Sequence, residues 1–235
     1  MLRNILATYR FYKTKEHGFR ELGFMISVKS REFELMDQYT IHTANSAFAS
    51  TPEAAEAIAD GMGYPVAVKI QSPGVHKTDV GGVRLNVNKE NVRTAFNEVV
   101  ENAKKAGISY SGCIIQKMAP PGLEVIVGLK QDPQFGPVIL FGMGGIYTEI
   151  LKDFSLRVCP ITEQDAFEMV DELKSHEIFK SRGKVYDKTA IAGLLMKVNN
   201  IAMKEKIKEL DLNPVFIYPK GNDEEYIVVD VRLIE

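Results

Sequence analysis

The sequence has 235 residues, of which 45% are hydrophobic and 26% are charged, and its formal net charge is −2. This length allows one large domain or two small ones, with enough apolar residues for a globular core. The nearly neutral charge argues against a dedicated nucleic-acid binder and against attachment to an anionic membrane, and no run of roughly 18 apolar residues predicts a membrane-spanning helix. Cys113 and Cys159 lie in apolar stretches without metal-ligand spacing, so we expect buried thiols in a cytoplasmic protein.

The first 30 residues stand apart from the rest of the chain. Residues 1–20 carry a basic amphipathic pattern, and the acidic residues Glu16 and Glu21 favour a terminal helix over a transit peptide. We assign residues 1–30 to no domain and to no function.

Helix and strand patterns alternate from about residue 40 onward. Ser50-Thr51-Pro52-Glu53 has the capping-box pattern of a helix start, and Gly61 and Gly63 indicate where that helix ends. A strand at 64–70 and a hairpin-type partner at 85–87 precede a helix at about 90–106. The later elements are strands at 113–118, 124–129 and 138–141, a helix from Thr162, a helix at about 189–206, and strands at 212–218 and 226–233. This order predicts an α+β protein with hairpins and without strict βαβ alternation.

Two glycine clusters follow strand-like runs, although neither standard phosphate-binding motif is present. They are Gly81-Gly82 and Gly142-Met143-Gly144-Gly145. Backbone N–H groups without flanking side chains can approach an anion, but a glycine pair is also a common turn. The clusters alone leave both interpretations open.

Several polar residues interrupt runs that are otherwise apolar, namely Lys69, Glu124 and Asp230. A charge in a buried strand is costly unless it is paired or bound to a ligand, but an edge lysine or a surface carboxylate would give the same pattern. Asp211 and Asn213 are two residues apart, so on a strand their side chains share one face. Carboxylate and amide oxygens are ligands that Mg²⁺ accepts together with phosphate oxygens.

His76 lies in a polar loop that leads directly into the first glycine cluster. A neutral imidazole that is oriented by a partner can act as a covalent nucleophile, although an exposed loop histidine would look the same in the sequence. His17, His42 and His176 have no comparable setting, and we give them no role.

Together these segments resemble the β chain of ADP-forming acetyl-CoA synthetases, in the same order and over most of residues 31–235. The segments that carry the resemblance are 63–83, Asp132-Pro133-Gln134-Phe135-Gly136-Pro137, Phe141-Gly142-Met143-Gly144-Gly145-Ile146-Tyr147-Thr148-Glu149-Ile150-Leu151-Lys152-Asp153, Asp211-Leu212-Asn213-Pro214-Val215 and Val229-Asp230-Val231-Arg232. Where members of that family usually have Gly-Ile-Pro, this chain has Thr40-Ile41-His42.

The resemblance implies an ATP-grasp fold, in which two α+β subdomains hold the nucleotide in a cleft between their sheets. The N-terminal subdomain is expected at 31–118 and the C-terminal subdomain at 119–235. Lys69 would hold phosphates, Gln116, Lys117 and Met118 would form the hinge near the adenine, and Glu124 would contact the nucleoside.

The resemblance also implies roles near the phosphates. Gly144 and Gly145 would give backbone contacts, and Asn213 and Asp230 would bind Mg²⁺. In the same comparison, Asp211 steadies an incoming phosphohistidine, and His76 matches a second phosphohistidine that the acetyl-CoA group uses.

The reaction implied is acyl-CoA plus ADP and phosphate giving acid, CoA and ATP. An α subunit would carry the CoA-binding domain and the first phosphohistidine, as an α2β2 assembly. Three alternatives stay open. The first is a succinyl-CoA synthetase-like β chain, against which His76 argues. A carboxylate–amine ligase would need both substrate sites in one chain. A non-catalytic nucleotide-sensing subunit could dispense with His76, Asp211 and Asp230.

Overall fold

The computed structural model describes residues 31–72, 77–145, 152–180 and 183–235, so residues 1–30 and His76 lie outside the described part. The chain divides by its contacts into two compact units. The first unit holds Asn45–Met118, and the second holds the described part of Ser30–Ala44 together with Ala119–Glu235. In the described residues, no helix is long and apolar enough to cross a membrane.

The helices and strands of the described residues follow one another in a mixed order. They are α1 Arg31–Gln38, β1 Ser46–Ala49, α2 Pro52–Met62, β2 Val66–Gln71, β3 Val83–Val87, α3 Val92–Lys105, β4 Gly112–Lys117, β5 Leu123–Asp132, β6 Gly136–Met143, β7 Phe154–Val158, α4 Glu163–Asp171, a 3₁₀ helix His176–Lys180, α5 Lys188–Lys204, β8 Glu209–Ile217, β9 Tyr226–Val228 and β10 Val231–Ile234.

The first unit is a four-stranded antiparallel sheet in the order β1-β4-β2-β3, packed against α2 and α3. Helix α2 begins within the predicted segment, with Pro52 in the first turn, but the cap is the Thr51 hydroxyl, which accepts a hydrogen bond from the Ala54 N–H, and not the Ser50–Glu53 capping box of the pattern. Its predicted end is confirmed at Gly63, which has φ of 78°. Alternate residues of β2 and β4 enter the core with one face of each helix, and these are Val66, Val68, Ile70, Cys113, Ile115, Ala55, Ile58, Phe96 and Val99.

The second unit contains a six-stranded antiparallel sheet in the order β10-β8-β5-β6-β7, with β9 paired to β8. Helices α4 and α5 cover one face of it. The apolar side chains that meet there include Val125, Val127, Leu129, Ile139, Phe141, Met169, Leu194, Leu195, Val198, Leu210 and Leu212. The capping box predicted at Thr162 is present, since its hydroxyl and the Asp165 carboxylate each accept a hydrogen bond from the other residue's N–H.

The segment before the first sheet packs with the second unit. Leu35 and Met36 of α1 are fully buried in the second core. Arg31 donates hydrogen bonds to Glu205, after α5, and to Glu235, after β10. Residues 31–44 were expected in the first subdomain, but they belong by their contacts to the second unit, where α1 contacts β10 and Thr43 pairs with Val228 of β9.

Some elements differ from the sequence prediction. Strands β1 and β7 and helix α1 carried no prediction, since each is short. The single strand predicted at 226–233 is two strands, because β9 pairs with the end of β8 and β10 with its beginning.

Candidate functional site

Lys69 and Gln116 lie on neighbouring strands of the first sheet. Lys69 of β2 pairs with Ile114 of β4, and Ala67 pairs with Gln116 two positions away. Because side chains alternate between the two faces of a sheet, Lys69 and Gln116 share the face opposite α2 and α3. Both side chains are buried, with Lys69 7% and Gln116 2% exposed, and both make polar interactions.

The side chain of Lys117 is engaged by the chain itself. Its Nζ donates hydrogen bonds of 2.9 Å to the carbonyl oxygens of Gly63 and Tyr64, at the end of α2. The N–H of Met118 donates to the Pro65 carbonyl oxygen at 3.2 Å. A cation at a helix C-terminus satisfies carbonyl groups that have no partner in the helix. The predicted hinge segment is therefore fixed to the C-terminal end of α2.

Gly81 and Gly82 form a turn whose N–H groups bond within the loop. The Gly81 N–H donates to the Thr78 carbonyl oxygen at 3.1 Å, and the Gly82 N–H to that of Lys77 at 2.8 Å. Gly81 has φ of 63°, which favours glycine. The first cluster thus takes the turn interpretation that the sequence left open. His76, which precedes this turn, lies outside the described residues.

The second glycine cluster packs on Glu124 of β5. The Gly144 N–H donates to the Glu124 carbonyl oxygen at 2.8 Å. A Cβ on Gly144 would stand 2.8 Å from the Glu124 Cβ, and one on Gly145 would stand 3.1 Å from the Glu124 Oε2. The absence of side chains therefore permits this approach, and the structure brings together Glu124, Gly144 and Gly145.

Asn213 and Asp230 meet at an irregularity of β8, two residues after Asp211, which pairs with Arg232 of β10. Strand β5 opposes Asn213 and Pro214 with only one residue, which makes a β-bulge. The Asn213 N–H donates to the Asp230 carbonyl oxygen at 3.1 Å, and the Val229 N–H donates to that of Pro214 at 3.0 Å. The short link between β9 and β10 is thereby held against the bulge. Asn213 is exposed and Asp230 is half-buried.

The donor set at the bulge suits a hard cation that keeps other ligands. In the part of the chain that the structure describes, no group of three or more His, Cys, Asp or Glu side chains has an arrangement that could hold a metal ion. An amide oxygen and one carboxylate are too few to hold Mg²⁺ alone, but Mg²⁺ commonly takes one or two carboxylates with phosphate oxygens and waters. Asn213 and Asp230 therefore fit an ion that arrives with a nucleotide.

Asp153 is a buried carboxylate with no role predicted from the sequence. It accepts hydrogen bonds from the Lys174 N–H at 2.8 Å, the Ser175 N–H at 2.9 Å and the Ser175 hydroxyl. Burial opposes its ionisation, but these hydrogen bonds outweigh burial and lower its pKa. Its carbonyl oxygen accepts from the Met143 N–H at 3.1 Å, next to Gly144. The feature of the sequence that could have indicated Asp153 is its position at the end of the segment 141–153, which contains the second glycine cluster.

The two cysteines take no part in this chemistry. Burial raises the pKa of Cys113 to about 12 and that of Cys159 to about 11. A thiol that stays protonated is a poor nucleophile and a poor metal ligand. The sequence prediction of buried thiols is confirmed.

The family model of the ATP-grasp domain matches residues 26–234 of this chain. The β subunit of the ADP-forming acetate–CoA ligase I of Pyrococcus furiosus is 43% identical over 208 residues, which cover 86% of this chain and 88% of that subunit. The chain belongs to this family of ATP-grasp β subunits. The predicted fold class, α+β of the ATP-grasp type with two sheets, is confirmed.

Longer and experimentally solved relatives belong to the same family. The ADP-forming acetate–CoA ligase I of Archaeoglobus fulgidus is 45% identical over 230 residues. The match covers 94% of this chain but only 32% of that protein. Acetyl-coenzyme A synthetase 1 of Ca. Korarchaeum cryptofilum, solved with coenzyme A and Ca-AMPCP, matches with a TM-score of 0.80 and 41% identity over 86% of this chain and 90% of that chain. The same synthetase has been solved with Mg-AMPPCP and its phosphohistidine segment pointing towards the nucleotide binding site.

Proposed function

We propose that this chain is the nucleotide-binding β subunit of an ADP-forming acetyl-CoA or acyl-CoA synthetase. The net reaction is acyl-CoA plus ADP and phosphate giving acid, CoA and ATP. The observation that carries the proposal is the assembly, in one unit, of the Glu124–Gly144–Gly145 contact and the Asn213–Asp230 pair. An ATP-grasp domain binds nucleotide, and the identity to β subunits of acetate–CoA ligases selects this reaction among ATP-grasp enzymes.

The nucleotide would be held by backbone groups and by a few charged side chains. Lys69 would contact its phosphates, Glu124 the nucleoside, and Gly144 and Gly145 the phosphates through backbone N–H groups. The segment Gln116, Lys117 and Met118 would lie beside the adenine, where the Lys117 amine is not available because it already bonds to two carbonyl oxygens.

Mg²⁺ would be held by Asn213 and Asp230, and when bound it would neutralise charge on the phosphate oxygens. The Mg-AMPPCP complex of the Korarchaeum relative supports this choice of ion. Lys69 would supply further positive charge, which matters because phosphoryl transfer depends mainly on positioning and on electrostatic stabilisation.

His76 would carry the phosphoryl group between the partner and the nucleotide. In the first step the P–N bond of a phosphohistidine on the α subunit breaks and a P–N bond to His76 forms, while Asp211 steadies the incoming segment. In the second step that bond breaks, and a P–O bond forms to the terminal phosphate oxygen of ADP, giving ATP. This order conserves the phosphoryl group and needs no further reactant.

The chain would act with an α subunit that carries the CoA site and the first phosphohistidine. The Pyrococcus relative is named a β subunit, whereas the Archaeoglobus relative is about three times longer than the matched part, as expected for a fused form. We propose an α2β2 assembly in the cytoplasm, where the nucleotide and CoA substrates are available.

Labelling with [γ-³²P]ATP and Mg²⁺ tests the role of His76. We expect a protein-bound label that is stable to base and labile to acid, as a phosphohistidine is, and that is lost in His76→Ala. The matched control is His42→Ala, since the His42 imidazole is exposed and pairs with Glu224 at 3.0 Å. Retention of the label in His76→Ala would contradict the proposed transfer, and nucleotide binding without any label would favour a sensing subunit.

A further inference from the structure

The edge strand β7 exposes a row of three large apolar side chains. Phe154, Leu156 and Val158 are 44%, 49% and 48% exposed. The alternate residues point to the core side, where the Ser155 hydroxyl donates to a carbonyl oxygen of α4 and Arg157 pairs with Glu172. The three apolar residues, named here the β7 patch, therefore lie on the face that α4 and α5 do not cover.

The β7 patch lies on the same sheet face as Asp211. Leu156 pairs with Leu140 of β6, Leu140 with Gly128 of β5, and Gly128 with Asp211 of β8. Residues that pair directly across strands lie on one face, so these four positions form one row across the sheet. Three strand spacings of about 4.8 Å place Asp211 roughly 14 Å from Leu156. Gly128 has no side chain, so within this row only the side chain of Leu140 lies between Leu156 and Asp211.

We propose that the β7 patch is a docking surface for the α subunit, beside the path along which its phosphohistidine reaches Asp211. This inference rests on the proposed function. A segment of the α subunit that approaches Asp211 from the β7 side would cross the row that begins at Leu156. An apolar contact with Leu156 would position that segment along the row. In the Archaeoglobus relative, of which this chain spans 32%, the matched segment and the remaining part of the enzyme belong to one chain.

The exposed apolar side chains of β7 favour burial against a partner over contact with water. It is the outermost strand of the sheet among the described residues, so its outer backbone groups face no strand there. A flat apolar edge strand that stays uncovered invites aggregation. A stable interface buries about 800 Å² on each partner, which is more than three half-exposed side chains supply. The β7 patch would therefore be the apolar centre of a larger contact, where substitutions have their largest effects.

The test compares two Leu→Thr substitutions at exposed strand positions, since threonine keeps the preference for β-structure. Leu156→Thr lies in the β7 patch, and Leu85→Thr lies on β3 of the other unit, where Leu85 is 57% exposed. The dissociation constant for the cognate α subunit is measured by calorimetry with separately purified proteins. We expect Leu156→Thr to weaken it at least about tenfold and Leu85→Thr to leave it unchanged.

Binding of Mg-ADP to the isolated chain separates the two proposals. We expect it to be equal in the wild type, Leu156→Thr and Leu85→Thr, which also verifies that both variants are folded. Wild-type affinity of Leu156→Thr for the α subunit would overturn the docking proposal. The docking proposal would also be overturned if the wild type self-associates, Leu156→Thr abolishes this self-association, and binding of the α subunit persists. The β7 patch would then bind a second copy of this chain. Failure of the wild type to bind Mg-ADP would overturn the proposed function and this inference with it.

Discussion

Replacement of Gly144 by alanine would separate the second glycine cluster from β5. The added Cβ would stand 2.8 Å from the Glu124 Cβ and 2.9 Å from its carbonyl carbon. Because carbon atoms make contact at about 3.5–4.0 Å, one segment has to move by roughly 0.7 Å or more. The atoms met are backbone and Cβ, which cannot rotate away, and the 2.8 Å hydrogen bond to the Glu124 carbonyl oxygen would lengthen. Overpacking of this kind costs about 1–3 kcal/mol.

Thermal unfolding and Mg-ADP binding measure this effect. We expect the melting temperature to fall by about 2–4 °C for each kcal/mol, and Mg-ADP to bind about tenfold more weakly because Glu124 and the Gly144 N–H are displaced together. The control is Gly193→Ala on α5, where the added Cβ meets no atom within 4 Å. There alanine should stabilise the helix by about 0.5–1 kcal/mol. Equal melting temperatures of the two variants would refute the steric reasoning.

Two other substitutions test the polar contacts that hold the site in place. Asp153→Asn should lower the free energy of unfolding by about 1–3 kcal/mol at pH 7 in urea titrations, since the amide cannot accept from all three donors. Because the pKa of Asp153 is lowered in the folded state, its carboxylate stabilises the fold above the ordinary pKa of 3.8, and this stabilisation is lost as the pH falls through the lowered pKa. A difference in the free energy of unfolding between wild type and Asp153→Asn that grows below pH 3.8 would contradict this. Lys117→Met, which keeps the length of the side chain, should cost about 1–3 kcal/mol by leaving the carbonyl oxygens at the end of α2 without a donor. Unchanged urea unfolding of Lys117→Met would show that these two bonds contribute no stability.

Local rules predicted the elements whose signals lie within a few residues. Helix α4 begins after the predicted Thr162, and α2 begins within the predicted segment from Ser50 to Glu53, because a hydroxyl and a nearby N–H group satisfy each other without help from the rest of the fold. The ends of β9 and β10 could not be predicted in this way. The run 226–233 is continuously β-forming, and it is the bulge at Asn213 that makes it pair with β8 as two separate strands.

The sequence proposed a set of residues for the candidate site, and only the structure gives their geometry. The order of the motifs proposed Glu124, Gly144 and Asp230 through the family they resemble. Their proximity depends on which strands are neighbours, because a residue's own periodicity specifies its face but not the strand beside it. The hydrogen bonds of Asp153 could not be predicted for the same reason, since its donors lie more than 20 residues away in the chain.

The sequence by itself determined the family, the α+β class and the helices and strands with strong local signals. Only the tertiary structure decided that residues 31–44 pack with the second core, that the Lys117 amine bonds to the end of α2, and that β7 is an exposed edge. These features depend on contacts between residues distant in the chain. Burial and hydrogen bonding of that kind are set by the whole fold, whereas propensity and capping act over a single turn.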